Sequence, residues 1–302
     1  SSEACVNDQA VRLRELVERQ QRGQSATVAG LEAGSTVPRV IAVTSGKGGV
    51  GKTNFTINLG LALSQRGKRV LVLDADLGMA NVNVALGLPA HHNLFDVIIG
   101  KKTLRDIVVK GPAGLSVVPG GSGISELANI GEAQRNRLIE QFADLGDLAD
   151  IVLVDTAAGL SRNVLAFAAA ADSVIVITVP EPPAIADAYA IMKAVFRERP
   201  KADVHLVVNR IHRASEGRAV YDKLSLVVRR FLGNKLERLG AIDEDPLVSE
   251  AVRSQRPLLL AYPDAPASRA VRDMVPNLFV ELRPPEGGIV GFLKRLGRLL
   301  RG

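Results

Sequence analysis

VIAVTSGKGGVGKTN, residues 40–54 of this 302-residue chain, joins an apolar run to a glycine-rich loop and the start of a second apolar segment. Its first four residues form an apolar run that predicts a buried strand, and the apolar residues between positions 55 and 63 predict a helix. The glycine-rich loop between them lets backbone N–H groups close around an anion, and the helix offers the positive end of its dipole to a phosphate. Strand, loop and helix in this order predict a nucleoside-triphosphate site in an α/β fold, a doubly wound and mostly parallel sheet flanked by helices.

The loop fits the pattern G-x-x-x-x-G-K-[ST], which Gly46, Gly51, Lys52 and Thr53 fill. We predict that Lys52 supplies positive charge to the β- and γ-phosphates and that the Thr53 hydroxyl binds Mg²⁺. The residues expected around the phosphates are Gly46, Lys47, Gly48, Gly49, Val50, Gly51, Lys52, Thr53 and Asn54.

Two more apolar runs, residues 69–73 and 151–154, end in aspartates. Carboxylates at the carboxyl ends of strands point into the crevice where α/β sheets bind ligands. We therefore predict that Asp155 binds Mg²⁺, that Asp74 lies near the metal and that Asp76 orients the attacking water. Gly159 has no side chain, so its backbone can approach the γ-phosphate.

The early lysine, Lys47, makes the loop resemble the deviant phosphate loop of the MinD/ParA ATPases. Residues 8–14, DQAVRLR, match the D-Q-A-x-x-L-R motif of one family in that class, the FlhG/FleN (YlxH) regulators of flagellar number and placement. The resemblance implies an ATP-dependent homodimer in which Lys47 reaches the partner's nucleotide. It also implies Mg²⁺-dependent, slow ATP hydrolysis carried by Lys47, Asp76 and Asp155.

The same resemblance implies roles for two further segments. Asn209, after the apolar run 204–208, would hydrogen-bond the adenine edge, with Arg210 beside it. The N-terminal helix would dock on an FlhF-type GTPase and stimulate its GTP hydrolysis, and flagellar basal-body or transcription-regulator proteins are further expected partners. The partner-binding residues are then Asp8, Gln9, Ala10, Leu13 and Arg14.

The sequence pattern divides the chain into four segments. Residues 1–22 have an apolar stripe at positions 6, 10, 13 and 17, which predicts an amphipathic helix, and residues 23–38 predict a flexible linker. Residues 39–282 predict the ATPase domain, and residues 283–302 predict a linker followed by a C-terminal amphipathic helix.

The basic amphipathic pattern of that last helix is typical of a membrane-surface anchor. The alternative is a helix that covers the domain or a dimer face. Both interpretations are correct if the helix covers the protein in one state and is released to the membrane in another. The residues predicted to contact anionic inner-membrane lipid are Ile289, Phe292, Leu293, Lys294, Arg295, Leu296, Arg298, Leu299 and Leu300.

Composition narrows the function classes. Aromatic residues make up 4% of the chain and tryptophan is absent, which argues against a stacking platform for bases. The single cysteine, Cys5, excludes an internal disulfide and argues against an iron–sulfur protein. Of the net charge of +6, residues 283–302 carry +4, so a DNA-binding stripe is not expected. With no secretory signal evident, we predict a cytoplasmic protein that is peripheral on the inner face of the cell membrane when ATP-bound.

Three alternatives stay open on the sequence. The protein could be a MinD-like division-site ATPase or a ParA-like partition ATPase. It could also be a nucleotide-gated scaffold that hydrolyses ATP only slowly. Residues 234–237, NKLE, come close to the guanine-specifying N-K-x-D motif, which leaves GTP as the alternative to ATP.

Overall fold

One eight-stranded sheet organises the part of the chain that the computed structural model describes, residues 37–76, 81–121, 131–143, 149–281 and 287–300. The spatial order of the strands is β3-β4-β2-β5-β1-β6-β7-β8, and every neighbouring pair is parallel except β3 with β4. The strands are β1 (Arg39–Ser45), β2 (Val70–Ala75), β3 (Val109–Lys110), β4 (Ser116–Val118), β5 (Ile151–Ala158), β6 (Ser173–Thr178), β7 (Asp203–Ile211) and β8 (Glu237–Asp243). The predicted fold class is confirmed.

Helices cover both faces of this sheet, as a parallel sheet requires. Ile41 and Val43 pack on one face while Val40 and Ala42 pack on the other, and all four are fully buried. This explains why β1 is a continuous apolar run. The helices are α1 (Lys52–Gln65), α2 (Asn81–Ala85), α3 (Leu94–Ile98), α4 (Leu104–Ile107), α5 (Glu132–Ala143), α6 (Arg162–Ala170), α7 (Pro182–Glu198), α8 (Ala214–Leu232), α9 (Pro246–Arg253), α10 (Leu258–Ala261), α11 (Pro266–Glu281) and α12 (Gly288–Leu299).

The order of the strands places the predicted site. β1 lies between β5 and β6, so the loop that follows it opens at the carboxyl edge in the middle of the sheet. β2 and β5 are neighbours, and their register sets Asp74 opposite Asp155. The predicted phosphate loop and the predicted acidic residues therefore come from adjacent strands and meet at one edge.

The C-terminal helix α12 lies on the domain, in the same compact unit as the sheet. Its apolar side chains are buried against α5, α6 and β1. The buried residues are Ile289, Phe292, Leu293, Leu296 and Leu300, while Leu299 is half-buried. Of the two alternatives for this helix, the structure therefore shows the covered one.

One residue of the predicted membrane face is placed differently from the prediction. Lys294 and Arg298 are exposed, but Arg295 is only 21% exposed and is not part of a solvent-facing basic side. Its Nε donates to the Ala170 carbonyl oxygen at 2.7 Å, and its Nη2 contacts Asp172 Oδ1 at 3.0 Å. The helical pattern predicts the basic face, but it does not show that Arg295 pairs with the buried carboxylate of Asp172.

Several predictions fall outside the described residues. These are the N-terminal helix with Asp8, Gln9, Ala10, Leu13 and Arg14, and nearly all of the predicted linker 23–38. In the part of the chain that the structure describes, no helix combines the length and the apolar character needed to cross a membrane.

Candidate nucleotide site

The loop between β1 and α1 has the backbone of a phosphate-binding loop. Gly49 and Gly51 adopt φ values of 78° and 92°, in the left-handed region that favours glycine. Gly51 is also constrained by space, because a Cβ there would lie 2.5 Å from the Asn209 Nδ2 atom. The loop leads directly into α1, which begins at Lys52. Its N–H groups and the helix N-terminus together can bind an anion.

Three side chains of α1 converge on Asp155. Lys52 Nζ lies 3.2 Å from Asp155 Oδ1, and Thr53 Oγ1 donates to Asp155 Oδ2 at 2.7 Å. Thr56 Oγ1 donates to Asp155 Oδ1 at 3.0 Å. Asp155 is fully buried, and burial raises the pKa of its carboxyl although Lys52 and both hydroxyls act in the opposite direction. Sequence analysis missed Thr56, and its spacing of three residues from Thr53 on a helix is the signal that could have found it.

Asp74 lies beside Asp155 at the end of β2 and is fully buried. It accepts hydrogen bonds from the backbone N–H groups of Asp76 and Val82, each at 3.2 Å. Burial, and then the charge of Asp155, raise the pKa of Asp74 to about 7. Asp76 follows at the same edge and is half-buried.

These oxygen atoms fit a magnesium ion. Thr53, Asp155 and Asp74 supply one hydroxyl and two carboxylates, the hard ligands that Mg²⁺ prefers. The charge of Asp155 helps to raise the pKa of Asp74, and a divalent cation would offset that repulsion. Among the described residues no group of three or more His, Cys, Asp or Glu side chains could hold a metal ion. A magnesium ion here would therefore depend on phosphate and water for its other ligands, as is common for this ion.

A pocket of about 390 Å³ adjoins the loop. Gly51 and Asn54 line it next to the loop, and the carboxyl ends of β7 and β8 line it together with α9. The lining residues from β7, β8, α9 and the turn before α9 are Asn209, Arg210, Asp243, Glu244, Asp245, Val248, Ser249, Val252 and Arg253. The two residues predicted to lie beside the base, Asn209 and Arg210, thus both line the pocket.

Asn209 also binds the phosphate loop itself. Its Nδ2 donates to the Val50 carbonyl oxygen at 2.8 Å, and its Oδ1 accepts from the Arg210 N–H at 2.9 Å. Arg210 has a φ of 58°, an unusual conformation for a residue other than glycine. That Asn209 reads the adenine edge stays a prediction. The structure shows a different contact of this residue, its hydrogen bond to Val50 of the phosphate loop.

The rival guanine motif at residues 234–237 lies at the wrong end of the sheet. The Asn234 amide donates to the Pro200 carbonyl oxygen at 2.6 Å, and Lys235 pairs with Glu237 at 2.5 Å. Glu237 begins β8, whereas the pocket lies at the end of β8, beside Asp243. The interpretation of this motif as a guanine reader is wrong, because the strand separates it from the pocket.

Lys47, the early lysine of the loop, contacts its own chain. Its Nζ lies 3.2 Å from Glu181 Oε2, and the two side chains are 48% and 59% exposed. Gly46 packs against α7, since a Cβ there would lie 2.4 Å from the backbone of Asp187. Gly159 closes the other side of the loop, where its N–H donates to the Ser45 carbonyl oxygen at 2.9 Å. An exposed ion pair such as that of Lys47 is weak, so this lysine can exchange partners at little cost.

Comparison with known proteins gives consistent matches. Residues 38–206 match the family described as an AAA domain. The chain is 41% identical to the antiactivator FleN of Pseudomonas aeruginosa over 88% of this chain and 96% of that protein. It is 36% identical to the flagellum site-determining protein YlxH of Helicobacter pylori over 87% of this chain and 90% of that protein. Among solved structures, the septum site-determining protein MinD of Pyrococcus horikoshii, complexed with Mg-ADP, aligns with a TM-score of 0.65 at 25% identity. That alignment covers 80% of this chain and 96% of the MinD chain.

Proposed function

The chain belongs to the FleN/YlxH (FlhG) family of MinD/ParA-type ATPases, and we propose that it is an ATP-driven switch that controls flagellar number and placement. The observation that carries the proposal is the buried contact of Lys52 and Thr53 with Asp155 beneath a glycine-rich loop. The similarity to the antiactivator FleN over 88% of this chain, and to a flagellum site-determining protein over 87% of it, supports the biological role.

Hydrolysis follows from the residues at this edge of the sheet. Lys52 exchanges its contact with Asp155 for the β- and γ-phosphates, and the backbone N–H groups of the loop surround them. Thr53 and Asp155 would hold Mg²⁺, with Asp74 beside it, and the bound ion would supply positive charge next to the transferred phosphoryl group. Asp76 orients the attacking water, and Gly159 offers its backbone near the γ-phosphate.

ATP joins two copies of the chain in this proposal. Lys47 leaves Glu181 and reaches the nucleotide of the partner copy, so each site is complete only in the dimer. Asn209 and Arg210 lie where the base would enter, and ATP is the nucleotide that we propose. The exposed position of the Lys47–Glu181 pair supports this exchange, because little burial has to be undone.

Membrane association depends on α12. In the described structure its apolar face is covered by the domain, so binding to a bilayer requires that the helix leaves this position. The basic residues Lys294, Arg295, Arg298 and Arg301 each add about 1 kcal/mol of attraction to an anionic leaflet. Two helices in one dimer bind together far more tightly than one. The protein is thus cytoplasmic, and peripheral on the inner face of the membrane when ATP-bound.

Co-sedimentation with vesicles tests this switch. The full chain should sediment with vesicles of anionic phospholipid in ATP and Mg²⁺ and stay in the supernatant in ADP. A chain that ends at Gly288 should stay in the supernatant with either nucleotide while still forming the ATP-dependent dimer in light scattering. Equal sedimentation in ATP and ADP would contradict the switch, and sedimentation of the shortened chain would contradict the role of α12.

The N-terminal segment supplies the proposed output. Through Asp8, Gln9, Ala10, Leu13 and Arg14 it docks on an FlhF-type GTPase and stimulates GTP hydrolysis. Deletion of residues 1–22 should abolish stimulation of that GTPase and leave the chain's own ATP hydrolysis unchanged, because the phosphate loop and its acids all lie beyond residue 39. Release of phosphate from GTP and from ATP, measured separately, checks both halves. Loss of ATP hydrolysis in the deletion would show that the segment acts on the ATPase domain instead.

A further inference from the structure

A relay of amide groups connects helix α10 with the wall of the nucleotide pocket. The Leu259 backbone N–H donates to Asn58 Oδ1 at 2.9 Å. Asn58 Nδ2 donates to Asn54 Oδ1 at 2.6 Å and to the Asn54 carbonyl oxygen at 2.7 Å. Asn58 is 2% exposed, while Asn54 is half-buried and lines the pocket. Because both residues lie on the buried face of α1, where apolar side chains predominate, two adjacent amides need an explanation.

The chemistry of the groups fixes the direction of this relay. A backbone N–H can only donate, so the atom that Asn58 turns towards Leu259 has to be its oxygen. The nitrogen of Asn58 then faces Asn54. Because an amide nitrogen can only donate, the Asn54 side chain has to accept this hydrogen bond through its oxygen. The Leu259 N–H group, 201 positions from Asn58 in the sequence, thereby sets the orientation of the Asn54 amide through Asn58. The Nδ2 group of Asn54 is left on the side away from Asn58.

We propose that Asn58 is a positioning residue, which holds the Asn54 amide so that its N–H group is presented to the bound nucleotide as a hydrogen-bond donor. The proposal rests on the nucleotide site proposed above and deepens it. Asn54 lies in the first turn of α1, directly after Thr53, and lines the pocket together with Gly51. The acceptor that we propose is an oxygen of a phosphate or of the ribose, or a ring nitrogen of the base. All of these accept hydrogen bonds and would be repelled by an amide oxygen in the same place.

Asn58→Asp reverses the relay. The carboxylate still accepts from Leu259, but its second oxygen now needs a donor from Asn54, so the Asn54 amide turns and its oxygen faces the ligand. We expect the affinity for ADP labelled on the ribose with a fluorescent N-methylanthraniloyl group to fall about tenfold, the size expected when one hydrogen bond is replaced by a repulsive contact. Asn58→Ser removes the relay without reversing it and should cause a smaller fall.

A double-mutant cycle separates positioning from a general structural effect. In the Asn54→Ala background, Asn58→Asp and Asn58→Ser should cause no further loss of affinity, because the group that they turn is gone. Losses that simply add in the double variants would overturn the proposal, as would a full-length Asn58→Asp variant that binds labelled ADP as well as the wild type. Thermal unfolding of each variant identifies any that fails to fold, and the serine variant then carries the test.

A second part of the experiment varies the base and compares ribose-labelled ADP with ribose-labelled GDP. An equal fall for the two ligands in Asn58→Asp supports a phosphate or ribose oxygen as the acceptor, and a fall for ADP alone supports a ring atom of adenine. A wild-type chain that binds neither nucleotide would overturn the proposed function itself. A wild-type chain that binds ADP, beside an Asn58→Asp variant that is unchanged, overturns only the role of Asn58.

Discussion

Lys52→Met should abolish nucleotide binding and hydrolysis together, whereas Lys47→Met, the same change five positions earlier, should abolish hydrolysis alone. Lys52 is 8% exposed and faces a fully buried carboxylate, so methionine keeps the aliphatic stem and removes the charge that balances Asp155. Without that charge, two buried acids and the ligand's phosphates repel one another. We expect ATP turnover to fall by about two to three orders of magnitude, the usual loss when a charge-stabilising group is removed.

Lys47 is the matched control because it lies in the same loop but is half-exposed and pairs with the exposed Glu181. Its replacement removes a weak surface ion pair, so the affinity for labelled ADP should stay within about threefold of the wild type. Hydrolysis should nevertheless be lost, since the proposed dimer needs this lysine at the partner's nucleotide. Phosphate release at saturating ATP, ADP affinity and the mass of the ATP-bound species by light scattering are the three measurements. Loss of ADP affinity in Lys47→Met would assign that lysine to its own site and contradict the shared one.

The chemistry of the site could be predicted from sequence because each part of it is local. The loop, Lys52 and Thr53 are contiguous, and Asp74 and Asp155 each end an apolar run. Parallel strands bring their carboxyl ends to one edge, so the two aspartates had to lie at the same side of the sheet even though the strand order was unknown. The structure makes them direct neighbours, and this proximity contributes to the raised pKa of Asp74.

Contacts between residues distant in sequence could not be predicted. Lys47 and Glu181 are 134 positions apart, and neither composition nor periodicity pairs them. The motif at residues 234–237 departs from the guanine-specifying pattern, because Glu237 stands in place of aspartate and the motif follows a helix instead of ending a strand, so the sequence favours ATP. The structure agrees, since the motif lies at the start of β8, away from the pocket.

Breaking the contact of α12 with the domain should allow membrane binding in ADP, without the ATP-dependent release of the helix, provided that the change is made on the domain side. Phe167 of α6 and Phe292 of α12 are both fully buried, with ring centroids 6.1 Å apart. Removal of either ring leaves a cavity in the same contact and weakens it by about 3–5 kcal/mol. Phe167→Ala leaves the apolar face of α12 intact for the bilayer. Phe292→Ala removes a large part of that face along with the contact.

The two variants should therefore have different effects on sedimentation with anionic vesicles. In ADP, Phe167→Ala should sediment at least about tenfold more strongly than the wild type, because undocking no longer opposes binding. Phe292→Ala should bind no better than the wild type in ADP and worse in ATP, because the bilayer loses the same ring that the domain loses. The comparison cancels any effect that a cavity at this place has on the stability of the domain.

Asp172→Asn tests the same release without creating a cavity. Asp172 is buried, and its Oδ1 contacts Arg295 Nη2 at 3.0 Å while its Oδ2 accepts from the Val40 N–H at 3.0 Å. Asparagine can keep the bond to Val40 through its oxygen, but its amide nitrogen then faces the guanidinium, so a buried charge loses its partner. Arg295 is thereby favoured in solvent or at an anionic headgroup, and binding to vesicles in ADP should rise as it does for Phe167→Ala. If Phe167→Ala and Asp172→Asn both stay in the supernatant in ADP while thermal unfolding shows a folded domain, the contact of α12 with the domain does not control membrane binding. ATP would then act only by bringing two copies of the helix together in the dimer.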